Sequence, residues 1–252
     1  MHKAEEPKLR LFVFHHSGGS HLAYRDWPAA FPAHWDVRIP DAPGRGPRDR
    51  RPALGDAGAL LDHFLHELDT RLTGPYAFFG HSMGGLVAYE LTRRLLDQDR
   101  TPPVWLGISA RGTLHPDGDP VRRHLLSDTE LRHELTTMGG TPSEVMDHDE
   151  LWELFEPTIR ADLRMSETWR TPPLTAPLPV PLSVFGGTRD QVAPPDRLDG
   201  WAGATEHFLG RHLFDGGHFY FQDHLPAVAA QIQDDVRRAA LLSSRAPSAV
   251  TR

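Results

Sequence analysis

An α/β domain, with a mostly parallel central sheet and helices on both faces, is the fold the sequence predicts, and three observations carry that prediction. Short apolar runs alternate with longer segments whose apolar residues recur at helical spacing, the pattern of parallel strands joined by crossover helices. One strand-to-helix junction carries Gly80-His81-Ser82-Met83-Gly84, a serine held between glycines. The alternation stops near residue 112 and resumes near Val180, a gap several times longer than a normal strand–helix connection.

Taken in order, residues 9–14 read as a buried strand that stops at His15-His16-Ser17-Gly18-Gly19-Ser20, a glycine-rich turn ahead of a short helix at 22–31. Residues 36–39 form a second strand. The loop Pro40-Asp41-Ala42-Pro43-Gly44-Arg45-Gly46-Pro47-Arg48-Asp49-Arg50-Arg51 follows, whose four arginines suit either solvent or an anionic partner. From Asp56 to Leu72, the residues Leu60, Leu61, Phe64, Leu65 and Leu68 fall on one helical face capped by Asp56. Residues 76–79 give the strand before the Ser82 turn, 86–96 the helix after it, and 104–109 the next strand. Within the gap, Leu131, Leu135 and Met138, then Leu151, Leu154, Phe155, Ile159 and Leu163, predict helices of their own. Strands return at 182–185 and 208–214, and a helix at 225–242 closes the pattern.

These elements suit a single domain, with a core at about 8–112 and 180–242, a helical lid insertion at about 113–171, and a disordered polar tail at about 243–252. Of the 252 residues, 39% are hydrophobic and 24% charged, an ordinary globular balance. A net charge of −7 argues against a nucleic-acid partner. The absence of cysteine excludes disulfides, thiolate metal sites and a cysteine nucleophile. The longest early apolar run, residues 11–14, is too short for a signal segment or a membrane span, so a cytoplasmic protein without a membrane partner is expected. A monomer is the expected state.

A serine hydroxyl needs a base to take its proton, and the base needs an acid to hold its tautomer. Ser82, Asp190 and His218 fall in the chain order Ser, Asp, His, each just beyond an apolar strand. There are 16 histidines, so order alone decides little; His218 stands out because it follows the last strand behind Gly216-Gly217. Asp190 is likewise the first acid past its strand, although a turn-forming Asp reads the same way in isolation.

The chain resembles the stand-alone type II thioesterases of polyketide and nonribosomal peptide synthesis, an α/β-hydrolase family. The resemblance rests on His15-His16-Ser17-Gly18-Gly19-Ser20 with Tyr24 and Trp27, on Pro43-Gly44-Arg45-Gly46 with Arg48, and on the Ser82 turn. It continues through Met138-Gly139-Gly140-Thr141-Pro142, Arg160-Ala161-Asp162, Glu167-Thr168 and Gly216-Gly217-His218-Phe219. Two departures stand out: His15-His16-Ser17 where the family more often has Pro-His-Ala, and Trp169 where it usually has Tyr. The resemblance implies hydrolysis of acyl groups from the phosphopantetheine arm of acyl or peptidyl carrier protein domains. Ser82, Asp190 and His218 would be catalytic, and the backbone N–H groups of Ser17 and Met83 would receive the oxyanion. No metal or other cofactor is implied. Product release, transfer to another acceptor, plain ester hydrolysis and a non-catalytic binding role remain alternatives on the same fold. Arg45, Arg48, Arg122 and Arg123 are the candidates for a basic patch facing an acidic carrier.

Overall fold

A computed structural model describes residues 9–45, 49, 51–113, 122–170 and 176–243. Arg48, the first residues of the insertion and the tail beyond 243 lie outside it. Six strands, β1 (Leu9–Phe14), β2 (Trp35–Arg38), β3 (Tyr76–His81), β4 (Leu106–Ser109), β5 (Leu182–Gly187) and β6 (Phe208–Phe214), form one sheet in the order β2-β1-β3-β4-β5-β6. Every pairing is parallel, so all six carboxyl ends lie along one edge. The chain runs outward from β1 in both directions, to β2 on one side and β3 on the other. Such a switch leaves a crevice beyond the carboxyl ends of β1 and β3, where ligands of open α/β sheets bind.

Alternation along each strand divides the core between two faces. Phe12, Phe14 and Phe78 pack with α1 (Ala57–Leu68) and α2 (Met83–Asp97) through Leu61, Phe64, Leu86 and Leu91. Leu11, Val13 and Phe79 point the other way, against Trp27, Phe31 and the Val228, Ile232 and Val236 face of α6 (Phe221–Ser243). Asp56 caps α1 as its position predicts, its carboxylate accepting the Ala59 N–H at 2.8 Å.

The insertion between β4 and β5 holds α3 (Asp128–Met138), α4 (Ser143–Asp147) and α5 (Asp149–Thr168). Ser127 and Glu130 close a capping box at the start of α3. Leu131, Leu135, Val145, Trp152, Ile159 and Leu163 form a separate small core for these helices, while Met165 and Trp169 join the main one.

One expected element is not formed. Residues 22–31 are two 3-10 turns, His21–Tyr24 and Pro28–Ala30, instead of a single short helix. Pro28 has no N–H to give to a carbonyl four residues back, and the neighbouring bonds, Trp27 N–H to Tyr24 O and Ala30 N–H to Trp27 O, both span three residues.

Candidate active site

Ser82 joins β3 directly to α2 with φ 55° and ψ −114°, a backbone conformation rare for a residue with a side chain. The neighbouring glycines explain how the turn fits. A Cβ on Gly80 would lie 1.9 Å from the Gly84 carbonyl oxygen, and one on Gly84 would lie 2.1 Å from the Phe14 carbonyl oxygen. Bare backbone at these two positions therefore lets the turn close against the end of β1. Ser82 N–H donates to Ser109 O at 2.8 Å, which fixes the turn to the adjacent strand end.

Asp190 and His218 come from the loops after β5 and β6, and backbone bonds tie the two loops together: Thr188 N–H to Phe214 O and Arg189 N–H to Gly216 O, both 2.8 Å. His218 Nδ1 lies 2.8 Å from Asp190 Oδ2, with both side chains buried. A carboxylate only accepts, so Nδ1 carries a proton, and in the neutral ring Nε2 is the nitrogen that keeps its lone pair. Asp190 Oδ1 takes the N–H groups of Val192 at 2.8 Å and Ala193 at 3.0 Å. Burial works against charge on Asp190, but the His218 bond and these two backbone donors outweigh it and hold the carboxyl below its usual range.

Ser82 and His218 border one cavity of about 50 Å³. Among the described residues Ser82 Oγ has no hydrogen-bond partner, so the link from serine to imidazole is open; in enzymes without substrate such bonds are often long. Ser17 lies on the cavity wall, and Met83 opens α2, where the first N–H groups lack intrahelical acceptors. Neither N–H meets a protein acceptor among the described residues. The structure thus brings Ser82, His218, Asp190 and Ser17 to one place, with Met83 next to Ser82 in the chain.

Other wall residues carry no catalytic role in the sequence reading, Arg123 having stood there only as a candidate for the basic patch. Leu135, Met138 and Leu163 come from the insertion, Val192 and Phe219 from the loops after β5 and β6, and Arg111, Arg123, Ser166 and Glu167 add charge and polarity. Arg111 had one legible signal, its place just past β4 beside the strand carrying Ser82. Glu167 accepts the N–H groups of Arg123 and His124 and faces His124 Nδ1 at 2.5 Å, holding the return of the chain onto α5.

The structure also corrects the basic patch. Arg45 is buried, its guanidinium 2.5 Å from Asp162 of α5, and the same carboxylate oxygen accepts the Gly18 N–H at 2.7 Å. Arg123 donates to Glu134 at 2.8 Å and lines the cavity. Of the four arginines only Arg122 is described as exposed.

Three buried histidines surround the site: His16 on the cavity wall, and His15 and His81 behind it. His15 donates from Nδ1 to His16 O at 2.9 Å and accepts the Ala42 N–H on Nε2 at 3.2 Å, an arrangement open only to the neutral ring. Burial, reinforced by Arg45, lowers its pKa. His81 is likewise driven well below the usual range by burial and then by His218 and His16.

Known proteins resemble the chain over most of its length. Linear gramicidin dehydrogenase LgrE of Brevibacillus parabrevis is 31% identical over 92% of this chain and 89% of its own length. RedJ, the thioesterase from the prodiginine biosynthetic pathway in Streptomyces coelicolor, superposes with a TM-score of 0.83 at 33% identity, covering 92% of this chain and 87% of that one. BorB, the type II thioesterase from the borrelidin biosynthetic cluster, gives 0.82 at 34% identity, covering 92% and 94%. The thioesterase domain model matches residues 9–236, a span that takes in the Ser82 turn, the insertion and the Asp190–His218 pair, and by that match the chain belongs to the thioesterase domain family.

Proposed function

We propose that the protein hydrolyses acyl thioesters carried on the phosphopantetheine arm of acyl or peptidyl carrier domains, clearing misplaced units in polyketide or nonribosomal peptide synthesis. The observation that carries the reading is the one cavity bordered by Ser82, His218 and Ser17, with Asp190 bonded behind the imidazole. Ser82 Oγ attacks the thioester carbonyl while His218 Nε2 takes its proton, and Asp190 stabilises the imidazolium. The N–H groups of Ser17 and Met83 receive the oxyanion, each worth about 3 kcal/mol in the transition state. As the C–S bond breaks, His218 returns the proton to the leaving thiolate. Water, deprotonated by the same imidazole, then adds to the acyl-serine, and as the bond to Ser82 Oγ breaks the imidazolium returns the proton to that oxygen and the acid is freed. No metal or redox cofactor enters these steps.

Volume favours a short acyl group. The cavity of about 50 Å³ is a third of the roughly 150 Å³ that holds benzene in an engineered protein core, a size that suits a short acyl group better than a long one. The relatives' names support the setting: RedJ and BorB are thioesterases of biosynthetic clusters. The gramicidin relative is named a dehydrogenase; a serine on a strained turn beside a carboxylate-held imidazole favours acyl transfer over hydride transfer here.

The test presents one short acyl group on a carrier protein, on coenzyme A and as a simple ester. The expected order of kcat/KM is carrier first and ester last. An ester turned over as well as the carrier thioester, or acyl-independent oxidation of a nicotinamide cofactor, would overturn the reading.

A further inference from the structure

The proposed hydrolysis needs only backbone donors for the oxyanion, yet His16 is built into the same cavity wall and those steps give it no task. We propose that His16 is a neutral hydrogen-bond donor to the substrate, holding a proton on Nε2 and offering it to an oxygen of the bound acyl group. The inference rests on the acyl-transfer reading of the cavity.

The bonding around Tyr24 fixes the tautomer. Tyr24 is fully buried, and its hydroxyl lies 3.0 Å from His16 Nδ1, the one side-chain partner it has among the described residues. Burial drives the phenol pKa up, so the hydroxyl keeps its proton and must donate it. Were Nδ1 the donor instead, the phenol proton would be buried without an acceptor, at about 1–3 kcal/mol. Tyr24 therefore donates to Nδ1, and the neutral ring carries its hydrogen on Nε2.

The imidazole remains neutral in the working range. Burial, then the neighbouring His15, His218 and Arg45, push its pKa down to about 3. A ring so placed cannot compete with His218 as a base, but it can donate without the desolvation penalty of a cation.

Nε2 has no protein acceptor among the described residues, and it is not among the polar atoms sealed from solvent without a partner, so it opens on the cavity. The surroundings hold the ring in this pose. Phe219 packs edge-on at 4.7 Å between ring centres, and Tyr24 lies at 5.9 Å. On the loop side, a Cβ on Gly19 would sit 2.9 Å from Cε1 and 3.0 Å from Nε2, so the absence of a side chain there leaves the ring its space.

Two substitutions separate the donor from mere packing. His16→Asn keeps an acceptor oxygen near Nδ1 for Tyr24 but places nothing at Nε2, whereas His16→Gln can return an amide N–H to that position. We expect His16→Asn to lower kcat/KM about 10–100-fold with the melting temperature nearly kept, and His16→Gln to recover most of the loss. An acetyl thioester and a 3-oxoacyl thioester tell which oxygen is met: losses on both assign the reacting carbonyl, and a loss confined to the second assigns the 3-oxygen. Nitrogen NMR of the imidazole supplies a readout independent of turnover. The Nε2–H tautomer should be seen near neutral pH, and the Nε2 proton should shift when an acetyl thioester is added to Ser82→Ala protein. An Nδ1–H tautomer, an unmoved Nε2 proton under saturating thioester, or full activity in His16→Asn would overturn the proposal. Lack of thioesterase activity in the unaltered protein would instead sink the hydrolytic reading, while the tautomer and the shift would still be read.

Discussion

Replacing Asp162 with Asn removes a charge from a place where both partners of an ion pair are out of water. Side-chain exposure is 3% for Arg45 and 2% for Asp162, so the guanidinium would lose its carboxylate without gaining solvent. Breaking one side of such a pair costs about 3–5 kcal/mol. At about 2–4 °C per kcal/mol for a chain of this size, the melting temperature should fall by about 6–20 °C. A second loss is local to the site. The oxygen that meets Arg45 also takes the Gly18 N–H at 2.7 Å, and Gly18 follows Ser17, whose N–H is proposed to bind the oxyanion. A displacement of that donor by about 1 Å lowers turnover by up to about 100-fold. Thermal melts and steady-state kinetics on an acyl thioester, run on Asp162→Asn, Arg45→Met and the double variant Arg45→Met/Asp162→Leu, test both effects. The double variant should recover stability relative to either single one, because no charge is left stranded, and should stay impaired in kcat because Gly18 has lost its anchor. A melting temperature and kcat for Asp162→Asn equal to those of the unaltered protein would refute the reasoning.

Three further outcomes are expected. Ser82→Ala should lose on the order of a million-fold in kcat while remaining folded, and Ser82→Gly, equally inactive, should melt no lower than the Ala variant because glycine accepts φ 55° without strain; a less stable Gly variant would contradict this. Stability should fall with acidification below neutrality. His16 resists protonation until about pH 3 when folded but binds a proton near 6.5 when unfolded, so the unfolded state holds more protons between those values and loses its disadvantage as pH drops. That amounts to about 2 kcal/mol at pH 5, with His15 and His81 acting in the same direction. Asp190 has the opposite sign of group: its contribution is complete above about 3.9 and vanishes only as pH falls through its lower folded value, so it is silent in this window. Urea unfolding with equal free energies at pH 6.5 and 5 would count against the buried neutral rings. Finally, Arg122→Ala should weaken kcat/KM for an acyl-carrier substrate, more so at low salt, and spare a small thioester; equal losses on both would point to damage in the insertion.

The candidate site was legible where chemistry and chain order coincide. Ser82, Asp190 and His218 each follow an apolar strand, and strand ends in a parallel sheet converge on one edge, so their meeting is readable before any contact is known. Element limits were less so. The helix after Ser82 begins at Met83 and not Leu86, since Gly84 and Gly85 are poor helix formers whose conformation is imposed by packing, Gly84 against the end of β1 and Gly85 against Gly80, Ile108 and Arg111. The Arg45–Asp162 pair was invisible as a pair. Its partners lie 117 residues apart, and an arginine in a loop rich in proline and glycine reads as solvated unless the fold covers it. His16 was legible as part of a motif, but its tautomer depends on Tyr24 turning back over it through a 3-10 turn that periodicity reads as a plain helix.

The division of α5 between two hydrophobic clusters bears on modularity. Ile159 and Leu163 belong to the insertion's own small core, whereas Met165 and Trp169, at its far end, belong to the core beneath the sheet. An insertion with only the first set would be a detachable module, free to melt alone or to be exchanged among relatives like a cassette. With the second set, excision would strip cover from the Leu86 and Ile108 face of the sheet. The boundary between scaffold and cap thus falls inside a helix and not at a loop, and swapping caps between homologues at the loop ends would transplant a piece of the host's own core with them.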